Sequence, residues 1–413
     1  MVQNKKNNKL VKELVSNSFV LIVLLSFLLI CFAVYYSVFG IKLFEKYEIG
    51  NYFYIICVIG ILFHFNSLMG TIYRVKNRLF ELAFFQSIIP ILIFFSMFFA
   101  KGKALLPVLL GATLLGNVAS LVLFIVNKKI SWGGKLTIKR CVEIFNKGFY
   151  LFIYNMCFFF IVLSTRTMIS YYYEIEDFGY FTFSYTLANA VLLLLQALAI
   201  VIFPKIIDKL HSENKKEVKN TINIISENYV TLSYGLMFFV LIIFPFFVNF
   251  VPKYQDSLQV LNLIAITVLL FTNSFGFGSH LMAQNKERIL SLIAIVSLFL
   301  NIALSLLLIL VFKVSYEYVI ISTLISYFVF SYSCTKYSNR IIGDEKSFFY
   351  VILDFFPLRL LIPYLISVVI IVFNLVYLIF LPLLLFIFLN RKTLKQIVVM
   401  IKTIITKPNL VDI

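Results

Sequence analysis

Charge is what this 413-residue chain has least of: 13% of its positions are Asp, Glu, Lys or Arg, against 62% that are hydrophobic. A water-soluble fold of that composition would expose too much apolar surface, so the bilayer is the solvent to reason with. Acidic residues are scarcer than basic ones, 19 to 36, which leaves a formal net charge of +17. Histidine occurs three times, as His64, His211 and His280 on separate segments. HExxH, P-loop and GxGxxG motifs are absent, as is any pair of carboxylates inside an apolar run. The usual signatures of metalloproteases, ATP-driven pumps and nucleotide enzymes are therefore missing, and neither a cofactor nor a metal is expected. The five cysteines, Cys31, Cys57, Cys141, Cys157 and Cys334, lack CxxC or metal-ligand spacing, and four lie in apolar runs or at their ends. They read as small core-filling side chains.

What is present is a series of apolar runs long enough for the roughly 20 residues a helix needs to cross hydrocarbon. Twelve emerge, near 17–39, 52–71, 80–100, 104–126, 149–172, 179–203, 229–250, 257–280, 289–312, 316–336, 355–373 and 375–390, the last two separated by Asn374 alone. The basic N-terminus (Lys5, Lys6, Lys9, Lys12) before the first run resembles a signal peptide but has no small-residue cleavage site, so that run reads as a retained span. With the N-terminus inside, 28 of the 36 basic residues fall in inner segments and six in outer ones: Lys42, Lys46, Lys101, Lys103, Lys253 and Lys313. Only Arg166 and Arg359 remain in or at the edge of spans. That bias orients the chain with both termini cytoplasmic, and it explains the positive charge without nucleic acid, for which no aromatic–basic interleaving exists.

The outer loops are too short for a folded domain, which needs on the order of 50 residues. The longest polar stretches, 127–147 and 204–228, are both inner. In the second, Val218, Ile222 and Ile225 are spaced four and three apart; an amphipathic helix on the inner leaflet and a solvated basic loop both fit. Pro204 and Lys205 are expected to end the sixth span. Polar groups inside spans are costly and usually face a cavity, so the few present carry the functional reading. Arg166, below the belt residues Tyr171, Tyr172 and Tyr173, fits a cavity cation that meets a diphosphate, or an arginine snorkelling to the interface. His64, beside Asn66 and Ser67 near mid-membrane, fits an ion or proton relay or a satisfied interhelical histidine. Asn189 and Gln196, with Ser184 and Thr186 on the same span, suit a wet wall or tight helix contact, and Asn301 suits interhelical glue.

The string GYFTFSYTLANAVLLLLQALAIVIFPKI, preceded by STRTMISYYYEIEDF, resembles the polysaccharide or O-antigen flippase family of the multidrug/oligosaccharidyl-lipid/polysaccharide exporter superfamily, with Phe178, Gly179, Tyr180, Phe203 and Pro204 in its order. Weaker echoes are TIYRVKNRLFELAFFQS and LMAQNKERILSLIAIVSLFLNIALSLLLI. The resemblance implies an all-α polytopic membrane protein of about 12 transmembrane helices in two pseudo-symmetric lobes, two N-terminal helices short of the family pattern. The parts would be a four-span lobe at 1–126, an inner basic loop at 127–147, a six-span lobe at 148–336, and a C-terminal helix pair with a basic tail at 337–413. It further implies a transporter of the cytoplasmic membrane that flips polyprenyl-diphosphate-linked oligosaccharide repeats for surface polysaccharide assembly. Polysaccharide polymerase and glycosyltransferases would be its partners. Arg166, Asn189 and Gln196 would meet substrate and His64 would couple an ion. A drug or organic-cation exporter is the alternative, though it would want acidic cavity groups. A membrane polysaccharide polymerase would want a long outer loop.

Overall fold

The computed structural model describes residues 8–39, 52–76, 78–99, 101–127, 133–212 and 214–406; within these, the side chains of 194–205, among others, lie outside the description. So do Lys42, Lys46, Lys128 and Lys129 of the charge tally. The described residues are helical, with no strand among them. Hydrocarbon offers no partners for backbone N–H and C=O groups, and a helix satisfies them within its own segment. The chain is an all-α polytopic membrane protein: nine helices among the described residues are long and apolar enough to cross a bilayer, or ten if one bent pair is a single span. Two further runs expected to span, 179–203 and 375–390, fall on helices reported below as α6 and α15.

The chain divides into two compact units, residues 1–146 and 147–413. Unit 1 holds α1 (Asn8–Phe39), α2 (Phe53–Val75), α3 (Leu79–Ser96) and α4 (Leu105–Val126). Its core gathers Leu68, Met69, Ile72 and Tyr73 of α2 with Phe85 and Phe124, and those three rings meet edge to face with centroids 5.0–6.0 Å apart. Within this apolar packing Asn66 of α2 donates to Asn117 of α4, to its backbone oxygen at 3.0 Å and its amide oxygen at 3.1 Å. Gly116 lets α4 close on α3, because a β-carbon there would stand 2.9 Å from Ile89 Cα. Residues 134–137 are sewn to α1 by buried Asn17, whose amide donates to Lys135 O and accepts from Thr137 N, both at 3.0 Å. The expected inner loop 127–147 is shorter than its polarity suggests. From Ile138 onward it is the start of α5 (Ile138–Tyr172), which carries the chain into unit 2.

Unit 2 continues with α6 (Ile175–Leu210), α7 (Lys215–Ile225), α8 (Thr231–Asn249), α9 (Leu258–Thr272) and α10 (Phe275–Ala283). It closes with α11 (Glu287–Leu306), α12 (Ile321–Ile342), α13 (Phe348–Phe355), α14 (Leu358–Val372) and α15 (Leu381–Thr406). α9 is buried almost all round, as a helix apolar on every face must be. Contrary to expectation, Pro204 does not end its span, since α6 runs through it to Leu210. A proline removes one amide donor, and buried Ile206, Ile207 and Leu210 hold the turns that follow. The polar stretch 204–228 is likewise helical apart from a short break. Asn214 caps α7 by accepting from Lys216 N at 3.1 Å and Glu217 N at 3.4 Å. The apolar face of α7 (Val218, Ile222, Ile225) is buried, with Ile222 and Ile225 against Gly276 of α10, so this segment is neither a solvated loop nor a leaflet-bound helix but packs on protein. From there a π-helical turn, Ser226–Val230, leads into α8.

Charged groups tie α7 to the junction of α12 and α13. Lys219 donates to Asp344 at 2.6 Å, Lys346 to Asp354 at 2.8 Å, and Asn339 to Asp354 at 2.7 Å. The bond from Lys219 holds the Asp344 carboxyl below its ordinary range; burial opposes this and Lys346 adds to it. For Lys346, burial pulls the ammonium down, but Asp354 and Asp344 outweigh it and the net direction is up.

Candidate substrate-binding site

Arg166 lies on α5, six residues from its end, about 9 Å along the axis at 1.5 Å per residue. The packing face of α5 is Cys157, Ile161, Thr165 and Ile169, one residue every four, and Arg166 sits at its edge, half-buried. Two neighbours on α6 receive the guanidinium. One terminal nitrogen donates to Thr182 Oγ1 at 3.4 Å, and the carbon stands 5.9 Å from the centre of the Tyr185 ring. The Arg166 Nε is buried without a hydrogen-bond partner, and no carboxylate among the described residues pairs with the side chain. A guanidinium offers five donors in a planar fork, and here most of that fork is uncommitted.

The rotation of α5 that aims Arg166 at α6 is set one residue earlier. Thr165 and Ser164 reach fully buried Asn301 on α11, which also meets Thr323 on α12. In the amide orientation that satisfies both ends, Asn301 oxygen accepts from Thr323 Oγ1 at 2.9 Å and Thr323 N at 3.1 Å. Its nitrogen donates to Ser164 Oγ and Ile161 O, both at 3.1 Å. Thr165 and Thr323 are joined directly at 3.2 Å, and Ser305 and Ser322 at 2.7 Å. Asn301 is thus the interhelical glue expected of it. Below this knot, Phe158 of α5 packs between Phe271 and Phe330 at 4.7 and 4.6 Å. Beyond Arg166, Tyr173 donates to Val314 O at 2.6 Å, fixing the far end of α5.

Residues 1–257 match the family model described as polysaccharide biosynthesis protein. The chain belongs to that family. Its place is in polysaccharide biosynthesis or export, as a multi-pass membrane protein. No curated protein matches the chain, and no solved structure does. The family match takes in all of unit 1 and α5 to α8, hence Arg166, Thr182 and Tyr185; Asn301 lies beyond it.

The other residues singled out in the sequence are placed as follows. Asn189 is half-buried on α6, seven residues after Thr182, and Gln196 follows seven further on. Seven residues are close to two helical turns, so the three positions form one stripe that begins at Arg166's partner. The side chain of Gln196 lies outside the described residues. His64 is exposed on α2 with its ring 6.2 Å from that of Phe63, while neighbouring Asn66 is buried and committed to Asn117. The structure therefore does not join His64 and Asn66 into a relay. Thr182 and Tyr185 went unrecognised in the sequence. The signal available was the seven-residue spacing from Thr182 to Asn189 to Gln196, which is weak in a span full of small residues.

Proposed function

We propose that this family member is a flippase that translocates a polyprenyl-diphosphate-linked oligosaccharide repeat from the inner to the outer leaflet of the cytoplasmic membrane for surface polysaccharide assembly. The observation that carries the reading is Arg166: a half-buried guanidinium in a membrane helix, with its Nε unpartnered and no carboxylate beside it among the described residues, in a polysaccharide biosynthesis protein. An uncommitted fork of this kind suits an anionic, bidentate acceptor such as a diphosphate. The Thr182–Asn189–Gln196 stripe would offer hydrogen bonds to sugar hydroxyls along the same helix, and the lipid tail would stay in the bilayer. Movement between leaflets needs no covalent step, so the chain acts as a transporter. Short outer loops speak for this reading over a polymerase. The absence of an acidic group beside Arg166 among the described residues speaks for it over an organic-cation exporter. Among the described residues His64 has no hydrogen-bond partner, and ion coupling by His64 is not part of this proposal.

The test is transport of lipid-linked repeats in reconstituted vesicles. Arg166→Ala is expected to lower the rate at least tenfold with the protein still folded, and Arg166→Lys, which keeps charge but loses the fork, is expected to restore only part of it. Unchanged transport by Arg166→Ala would remove Arg166 from the site. In cells, loss of the protein is expected to accumulate repeats on the inner leaflet; repeats found outside but unpolymerised would identify a polymerase instead.

A further inference from the structure

α13 is an eight-residue helix turned by 84° from α14, with the break at Phe356–Pro357. Its sequence, FFYVILDF, is apolar on almost every side. One side is accounted for: Val351 and Phe355 are buried, and Phe355 packs on Phe328 of α12 at 5.5 Å. The other side is bare, with Phe349 73% and Tyr350 63% exposed. Three features say what lies against it. First, the bare face continues into the stripe Leu358, Ile362, Leu365 and Val369 of α14, spaced four, three and four, all exposed and all aliphatic. On a membrane helix such a stripe faces lipid. Second, α14 carries the apolar length that follows the bend, and with α14 crossing the bilayer a helix at 84° to it runs close to the membrane plane. Third, charges at the same level fix the depth. Asp354 on α13 is bonded to Lys346 at 2.8 Å, and Arg359, the second residue of α14, donates to Thr393 at 3.0 Å with Glu227 at 3.7 Å. Ion pairs belong at the headgroups, and aromatic rings are favoured there.

We infer that α13 is an interfacial anchor whose Phe349–Tyr350 face lies in the headgroup–acyl boundary of one phospholipid leaflet. The anchor holds the C-terminal helix pair at a set depth. Through Lys346, Asp354 and Asn339 it is bonded to the end of α12, and through Asp344 and Lys219 to α7. It depends on the membrane placement of the chain and not on the nature of the cargo, so it stands or falls apart from the flippase reading.

The chain has one tryptophan, Trp132, so a single reporter can be moved. Full-length protein carrying Trp132→Phe and Phe349→Trp is placed in phosphatidylcholine vesicles with a nitroxide either high on the acyl chain or near its end. A face buried about 5–10 Å below the headgroups requires the high nitroxide to quench about twofold more than the deep one, with acrylamide quenching well below that of free tryptophan. Acrylamide quenching close to free tryptophan with no effect of either nitroxide would overturn the anchor. So would stronger quenching by the deep label, or protection from all three quenchers, which would mean a protein covers the face. Tyr350→Trp in the same Trp132→Phe background supplies the measurement if the first variant does not yield monodisperse protein.

Discussion

Asn301 and Arg166 show how differently two polar side chains can behave inside a membrane. Asn301 is fully buried, and its amide finds partners on two other helices, α5 and α12. Arg166 is half-buried with its Nε unmatched. A buried polar group left unpaired costs about 1–3 kcal/mol, so a satisfied amide is structural and an unsatisfied guanidinium calls for a ligand. Asn301→Leu keeps the volume but removes the hydrogen bonds that tie α11 to Ser164 of α5 and to Thr323 of α12, and it is expected to destabilise unit 2 by about 1–3 kcal/mol. Thermal unfolding in detergent reads this, with Asn189→Ala as the control expected to leave the midpoint in place. An Asn301→Leu midpoint equal to wild type would show that the knot does not hold α5. Transport should fall as well, because the knot precedes Arg166 by one residue. Both residues stand out in the sequence as polar positions within apolar runs. Which was glue and which was unmatched depended on α11 and α12, more than 130 positions away.

The helices were legible as apolar runs, while their joints were not. Periodicity at Val218, Ile222 and Ile225 gave α7 its amphipathic character, and Asn214 before Lys215 is an N-cap signal. Nothing local told a leaflet-bound helix from one packed on Gly276, because both bury the same three side chains. Pro204 misled for the opposite reason: local rules end a helix there, and tertiary packing carried it on to Leu210. The Lys219–Asp344–Lys346–Asp354 chain also joins elements far apart in sequence. Its pH dependence follows from Asp344. A carboxyl held below its ordinary value of about 4 stabilises the fold above that value and loses the contribution as pH falls through its lowered folded value. For a partly exposed pair this amounts to about 0.2–1 kcal/mol. Unfolding midpoints followed from pH 6 down to about 3 should fall less steeply in Asp344→Asn than in wild type. Parallel curves would remove Asp344 from the joint. The raised Lys346 works in the other direction, stabilising below the ordinary lysine range and losing its effect only in strong alkali.

Across the whole chain, excess positive charge sits at alternate turns. The end of unit 2 that carries Lys215, Lys216, Lys219, Lys286, Arg288, Lys336 and Arg340 stands opposite the turns bearing Glu174, Glu176, Asp177, Asp256 and Glu317. Insertion follows Lys and Arg in short loops, so the basic end is proposed to be cytoplasmic, with both termini on that side. Alkaline phosphatase inserted after Lys313, in the turn between α11 and α12, should be active, and the same reporter after Glu345 or at residue 413 should be inactive. The reverse pattern would invert the topology and with it the proposed direction of transport.

Composition and run length settled the class of this protein without any coordinates, because crossing hydrocarbon imposes length and apolarity on each segment separately and every segment records them. Charge bias at the turns likewise needs only the order of residues along the chain. The partners of Arg166 and the satisfaction of Asn301 were decided by which helices lie side by side, as were the passage of α6 through Pro204 and the outward face of α13. In spans built from Leu, Ile, Val and Phe, many helix rotations bury nearly the same apolar area, so the sequence of one helix does not choose among them. A few polar atoms seeking partners on other helices do, and those partners exist only once the bundle has formed.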